Sequence, residues 1–401
     1  MKRLLAILAA AMMLFAAAGC SQDGGSSSKA GTDTSGGAAG AMDPIAKEDI
    51  KVGVIHIGEP ADGAGYSYAH DQGIVEMQKN IGLSDDQIVR KNSVADTDAA
   101  GTREAITACI EEGCNIIFGT SWGYMDVMAD MAEEHPDVIF CHASGNKSND
   151  RNFNNYFGRI YQARFLTGIA AGLKTQSDKI GFVGAMGQDN AEVTGGIDAF
   201  ALGVAAVNPD AKIYVKVTNN WFDPTAEKQA AEALLDMGCD VIAQHCDTTA
   251  PQLAAEARGK WGCGYNSDMT KDAPKAHLTA PIWNWGVYYT KAVQSAIDGY
   301  KSEKYFGGMD DGLVDISPLS DNCAEGTKEI VEAARKMIED GSFKVFEGKI
   351  MTADLEAKTV SVTEGALIDN TDKEVCAAGA VLDDATITGG INWYYKNVEV
   401  A

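Results

Sequence analysis

The residues best equipped for chemistry stand together: His245, Cys246 and Asp247 close an apolar run in "DVIAQHCDTTAP", residues 240–251. Imidazole, thiol and carboxylate are the donors of zinc sites and the partners of catalytic dyads. Their spacing argues against both uses. Consecutive residues of an extended chain point to opposite faces, so the three side chains cannot converge on one ion. No HExxH or CxxC accompanies them, and no further His sits at ligand spacing. A Cys246–His245 dyad would need an orienting third group and an oxyanion hole, and neither is signalled. Walker A and a strand-following GxGxxG are lacking; "GAMGQDN" has glycines at another spacing. Asp62 and His70 could serve as acid and base, but Asp62 falls in a turn. His70 and Asp71 begin a helix, where negative charge is favoured. The expectation is therefore a protein that is not an enzyme and uses neither metal nor cofactor. His245 and Asp247 then mark the ligand-facing end of a strand, with Cys246 as bystander.

The elements that place this cluster alternate in period. From Ile50, β-branched runs such as "IKVGVIHIG", "NIIFGTS" and "VIFCHAS" are separated by amphipathic stretches such as "AGTREAITACIEEG" and "GYMDVMADMAEEHP". That alternation indicates βαβ units and parallel sheets. It breaks at "NKSNDRNFNNYFGRIYQ" and restarts with helix "ARFLTGIAAGLKTQ", strands "KIGFVGAM", "KIYVKVT", "DVIAQH", "GCGYN" and "AHLTAPI", and their intervening helices. Two similar lobes are expected, residues 48–157 and 158–275, with 276–401 crossing back and contributing to both. The helix opening at "WFDPTAEK" has Asp223 as N-cap, Pro224 at the first position and Glu227 in the first turn. Its use is to fix Trp221 and Phe222 at the edge of a cleft.

Open parallel sheets present ligand-facing residues in loops at the carboxyl ends of their strands. Here those loops read "GEPADGAGYSY", "TSWGYMD", "ASGN", "GQDNAEV", "NNWFDP", "HCDTTAP", "NSDM" and "WNWG". They hold Tyr66, Tyr68, Trp122, Tyr124, Trp221, Phe222, Trp283 and Trp285, including four of the six tryptophans. Large apolar groups in surface loops need something to cover them. Flat aromatic walls with a few carboxylates suit a planar ligand with polar edges. Stacking would supply affinity, on the scale of about 1–3 kcal/mol per base. Hydrogen bonds would supply discrimination, since an unpaired buried polar group is costly.

The chain begins "MKRLLAILAAAMMLFAAAGC", a basic head, an apolar run and small residues before Cys20, the layout of a secretory signal rather than a spanning helix. The ending Ala17, Ala18, Gly19, Cys20 resembles a bacterial lipobox. That resemblance implies cleavage before Cys20 and its modification by fatty acyl groups such as palmitate. Residues 20–47 are rich in Gly, Ser and Ala without apolar periodicity, as expected of a tether. About 355 residues remain from Lys47, enough for two domains. Net charge is −24 and becomes −26 once Lys2 and Arg3 are removed, which disfavours nucleic-acid backbones as partners. The eight cysteines after Cys20 lie mostly inside apolar elements, where a free thiol behaves as a small hydrophobe.

Taken in order, "GAGYSYAHDQG", "TSWGYMD", "NNWFDPTAEKQAAEALLDMGCDVIAQHCDTTA", "GYNSDM" and "LTAPIWNWGVYY" resemble the basic membrane protein family, substrate-binding lipoproteins of ABC importers related to purine nucleoside receptors. The resemblance runs from about Lys51 to the closing "INWYYKNVEV". It implies a type I periplasmic-binding-protein fold, two doubly wound lobes with three hinge crossings and a purine-type ligand in the cleft. It also implies an ABC permease as partner, a monomer, and a cell-membrane location on the extracytoplasmic side. Carried over, Phe222 or Trp221 is a base-stacking wall and Asp268 the late-loop Asp. The Lys that meets ribose in nucleoside-binding members has no counterpart, since Trp283, Asn284 and Trp285 stand there. "HDQG", "WFDP" and "SDM" look most like a branch that binds free bases such as adenine. The expected ligand residues are Tyr66, Trp122, Trp221, Phe222, Asp247, Asp268 and Trp285. A sensor lipoprotein reporting to a membrane receptor is the alternative, with a nucleoside hydrolase behind it.

Overall fold

Each β-branched run bounded by an amphipathic helix forms a strand with the next one parallel to it, because the helix returns the chain to the same sheet edge. The structure is a computed structural model and describes residues 41–401. The signal segment, Cys20 and most of the expected tether lie outside the described residues. The first lobe runs β1 (Val52–Ile55), α1 (Gly65–Ile81), β2 (Ile88–Lys91), α2 (Ala99–Glu111), β3 (Ile116–Gly119), α3 (Met125–Glu134), β4 (Ile139–Ala143) and β5 (Phe153–Gly158). Next come α4 (Ile160–Lys174), β6 (Lys179–Gly184), α5 (Ala191–Val207), β7 (Lys212–Val217), α6 (Pro224–Asp236), β8 (Val241–His245), α7 (Ala250–Ala257), β9 (Trp261–Cys263) and β10 (His277–Thr279). The remainder is β11 (Pro281–Trp283), α8 (Trp285–Asp298), β12 (Tyr305–Gly307), β13 (Val314–Ile316), α9 (Thr327–Glu339), β14 (Lys349–Asp354), β15 (Thr359–Glu364), β16 (Leu367–Ile368), β17 (Glu374–Cys376), α10 (Asp384–Gly389) and β18 (Val398–Val400).

Two six-stranded parallel sheets result, ordered β12-β5-β4-β3-β1-β2 and β10-β9-β8-β6-β7-β18. Both are doubly wound, and their central strands are buried on both faces, as parallel sheets require. The returning chain serves both: β12 closes one edge of the first sheet and β18 one edge of the second. The crossings between lobes lie around 158–160, 280–285 and 308–317, where β11 and β13 pair antiparallel. "TADLEAKTVSVTEG" falls within the exposed β14–β15 hairpin.

The break expected at "NKSNDRNFNNYFGRIYQ" contains β5, a full strand of the first sheet. Asparagines disguise it, because their amides are satisfied internally. Asn152 donates to the carbonyls of Ala132 and Val138 at 3.0 and 2.8 Å, and Asn154 donates to that of Glu303 at 2.9 Å. A buried amide with partners costs little, so polar letters here do not mean a loop.

Candidate functional site

The carboxyl ends of the two sheets face each other across a cleft of about 1280 Å³. The first lobe contributes Tyr66 at the start of α1, Asp96 after β2, Ser121 and Trp122 after β3, and Asn155 and Phe157 on β5. The second contributes Glu192 at the start of α5, Trp221 after β7, Asp247 after β8 and Tyr265 after β9. The lobes touch: a Cβ built on Gly65, which has φ +82, would lie 2.5 Å from the Asp247 carbonyl oxygen. Only glycine admits that approach and that backbone conformation together.

His245, Cys246 and Asp247 diverge. His245 is fully buried, edge-on to Tyr265 and Trp221 with centroid separations of 4.7 and 5.7 Å. Cys246 points into an apolar cluster with Leu234, Ile242 and Ala255, and burial pushes its thiol well above the ordinary range. Asp247 is 7% exposed and accepts from the Asn266 amide at 2.9 Å. Burial raises its carboxyl to about 7 against the opposing pull of that amide.

This loop is held by a network. Gln244 donates to the carbonyls of Thr248 and Cys246 at 2.6 and 3.0 Å, and the Asp247 amide donates to the Trp221 carbonyl at 2.9 Å. The fully buried Glu227 accepts from the Thr248 hydroxyl at 2.5 Å and from the Asp223 amide at 3.1 Å. Asp223 caps α6 through the amides of Thr225 and Ala226. One carboxylate thus ties the loop that carries Asp247 to the loop that carries Trp221.

Glu192 was not singled out from sequence, where an acid in a helix's first turn reads as favourable to the dipole. Its side chain is 29% exposed and borders the cleft, and desolvation raises its carboxyl to about 7 with Arg164 acting in opposition. His245 Nε2 lies 3.6 Å away, yet burial and Arg164 hold this imidazole well below its usual range. The contact is therefore between neutral imidazole and carboxyl, not an ion pair. Arg164, 1% exposed, donates to the Gln244 carbonyl at 2.8 Å and stacks over Tyr265 at 4.2 Å. Tyr265 follows β9 in "GCGYN", one residue before the expected loop "NSDM".

Of the seven residues expected to meet a ligand, Tyr66, Trp122, Trp221 and Asp247 line the cleft. Phe222, 58% exposed, lies outside it. Asp268 accepts from the amide and hydroxyl of Thr270 at 2.9 and 2.5 Å and is 3.5 Å from His277, away from the cleft. Trp285 is fully buried, sandwiched between His70 at 4.3 Å and Trp283 at 4.4 Å, where it joins α8 to the first lobe.

Two parallel-sheet lobes with a cleft at their carboxyl ends and three crossings between them define a periplasmic-binding-protein fold. An ABC transporter solute-binding protein from Conexibacter woesei shares the fold with TM-score 0.61 and 19% identity, covering 74% of this chain and 98% of its own. Residues 50–346 match the PnrA-like ABC transporter substrate-binding proteins, Bmp, and the chain belongs to that family. It is similar to a purine-binding protein of Brucella abortus, 36% identical over 355 residues, covering 88% of this chain and 94% of the relative. It is also similar to a putative ABC transporter glucose-binding protein of Haloferax volcanii, 33% identical over 322 residues and covering 79% and 80%.

Proposed function

We propose that this substrate-binding protein is an extracytoplasmic lipoprotein, anchored through Cys20, that captures a purine in the cleft and delivers it to an ABC permease. Adenine or a similar free base is preferred over a nucleoside. The observation that carries the reading is the combination of Tyr66, Trp122, Trp221 and Tyr265 with two desolvated carboxyls, Asp247 and Glu192, around one cleft. Aromatic faces suit a flat ring, and the carboxyls suit the N–H groups on its edge. The similarity to the Brucella purine-binding protein supports the same class of ligand.

Capture needs no covalent step. Closure is favoured only by contacts the ligand makes better in the closed form than in the open one. The test is mass spectrometry of small molecules released from the purified protein, followed by calorimetry with adenine, guanine, adenosine and glucose. Binding of adenine with little response to glucose is expected. Tight binding of glucose alone would sink the purine assignment, and free base released from adenosine would replace transport with hydrolysis. Cys20→Ser is expected to release the protein from the membrane fraction.

A further inference from the structure

The family match ends at residue 346, yet part of the cleft wall lies beyond it. Residues 384–392, comprising α10 and the turn after it, border the cleft together with the loops of both lobes. This segment is fixed rather than draped. Arg159, at the first crossing, donates to both carboxylate oxygens of Asp384, from Nε at 3.0 Å and from Nη2 at 2.5 Å. The same guanidinium donates to the Phe306 carbonyl of β12 at 2.8 Å. One arginine thus joins the edge strand of the first sheet to α10, which packs on α5 of the second lobe. Ile387 and Ile391 are buried where the segment meets the cleft and α5, and the Tyr395 amide donates to the buried Asp198 at 2.7 Å.

We infer that residues 384–392 are a third wall of the binding cleft, a specificity-determining element that contacts the bound ligand and is held in place by the Arg159–Asp384 pair. The inference rests on the cleft being the ligand site, as proposed above. The apolar side of this segment is buried, while Thr388, Gly389 and Asn392 are exposed on the part that borders the cleft. A ligand that fills the aromatic part of the cleft and extends toward its mouth meets this surface. Its shape there limits what may be attached to a ring held by the two lobes. Arg159 is a positioning residue: its side chain acts through Asp384 and Phe306.

Gly389 supplies the sharpest test, because a Cβ at that position would meet nothing within 4 Å and the residue does not need a left-handed conformation. A large side chain there meets open space on a residue that borders the cleft, and is expected to narrow it. Gly389→Trp is expected to raise the Kd for adenine by about tenfold or more, and for adenosine further, with Tm unchanged. An unchanged Kd for both would overturn the proposal. Glucose is titrated in parallel; if it alone binds the wild type, the purine reading falls and the wall is judged by glucose affinity in Gly389→Trp. Hydrogen exchange on the ligand-free protein tests the positioning separately. Amides of 386–392 are expected to be protected in the wild type and to exchange about tenfold faster in Asp384→Ala. Equal exchange in the two proteins would overturn the role of the pair whether or not any purine binds.

Discussion

Around Asp247 the second lobe's wall is buried and hydrogen-bonded within the protein, whereas around Trp122 the first lobe's wall is open. Asp247, His245, Arg164 and Tyr265 are each no more than 7% exposed, and Glu227 and Gln244 fasten the loops around them. Opposite them Trp122 is 54% exposed, and Asp96 is occupied with the Ser121 hydroxyl at 2.5 Å. The difference separates two tasks. A face whose rotamers are already fixed loses little entropy when it takes a ligand, so it suits discrimination. An exposed aromatic gains most when closure covers it, so it suits retention.

This division can be broken by substitution. The largest effect is expected at the fixed face: Asp247→Ala should weaken ligand binding by about 10- to 100-fold, the range for a hydrogen bond to a charged or strongly polar partner. Unchanged affinity by calorimetry would remove the β8 loop from the site. Glu227→Ala should follow, because it loosens the Asp247 and Trp221 loops together. Affinity should drop by about tenfold with a lower Tm, since buried partners lose their acceptor. On the open face Trp122→Ala should cost a smaller factor, about fivefold, and chiefly as faster release. Phe222→Ala and Asp268→Ala should alter affinity less than about twofold, as surface changes away from the site do.

The fixed face also predicts a pH response of the ligand-free protein. Asp247 and Glu192 titrate near 7 when folded, above their ordinary values of 3.8 and 4.5. The folded state therefore holds protons that the unfolded chain has released between about pH 4 and pH 7. Their contribution falls as pH rises through that window and is level above it. His245 and His70, held well below 6.5, act in the opposite sense and lower stability as pH falls below 6.5. Asp247→Asn should thus raise Tm more at pH 8 than at pH 5. An equal change at both values would show that Asp247 is an ordinary carboxylate.

How much of this was legible before the structure depended on how local the signal was. The βαβ alternation is written in successive residues, and it led directly to two parallel sheets and to their carboxyl ends as the cleft. Which side chain faces the cleft is decided by half a turn or one strand residue. Trp221 and Phe222 are adjacent, yet one lines the cleft and the other is exposed outside it. Trp285 begins α8 and is enclosed by His70 and Trp283, a contact spanning more than 200 positions that no spacing rule encodes. Glu192 was hidden because its position has an adequate helical explanation. The wall at 384–392 was hidden because the chain reaches it only after crossing between the lobes three times.

Gly65 carries one more consequence. Its hydrogen is all that separates the backbone of α1 from the Asp247 carbonyl, so the gap between the lobes is set there to the width of a single atom. A methyl group at this position works as a doorstop. Gly65→Ala is expected to leave both sheets intact but to strain the start of α1 and hold the jaw ajar, giving a protein that meets its ligand but does not shut on it. Such a variant isolates the encounter from the grip.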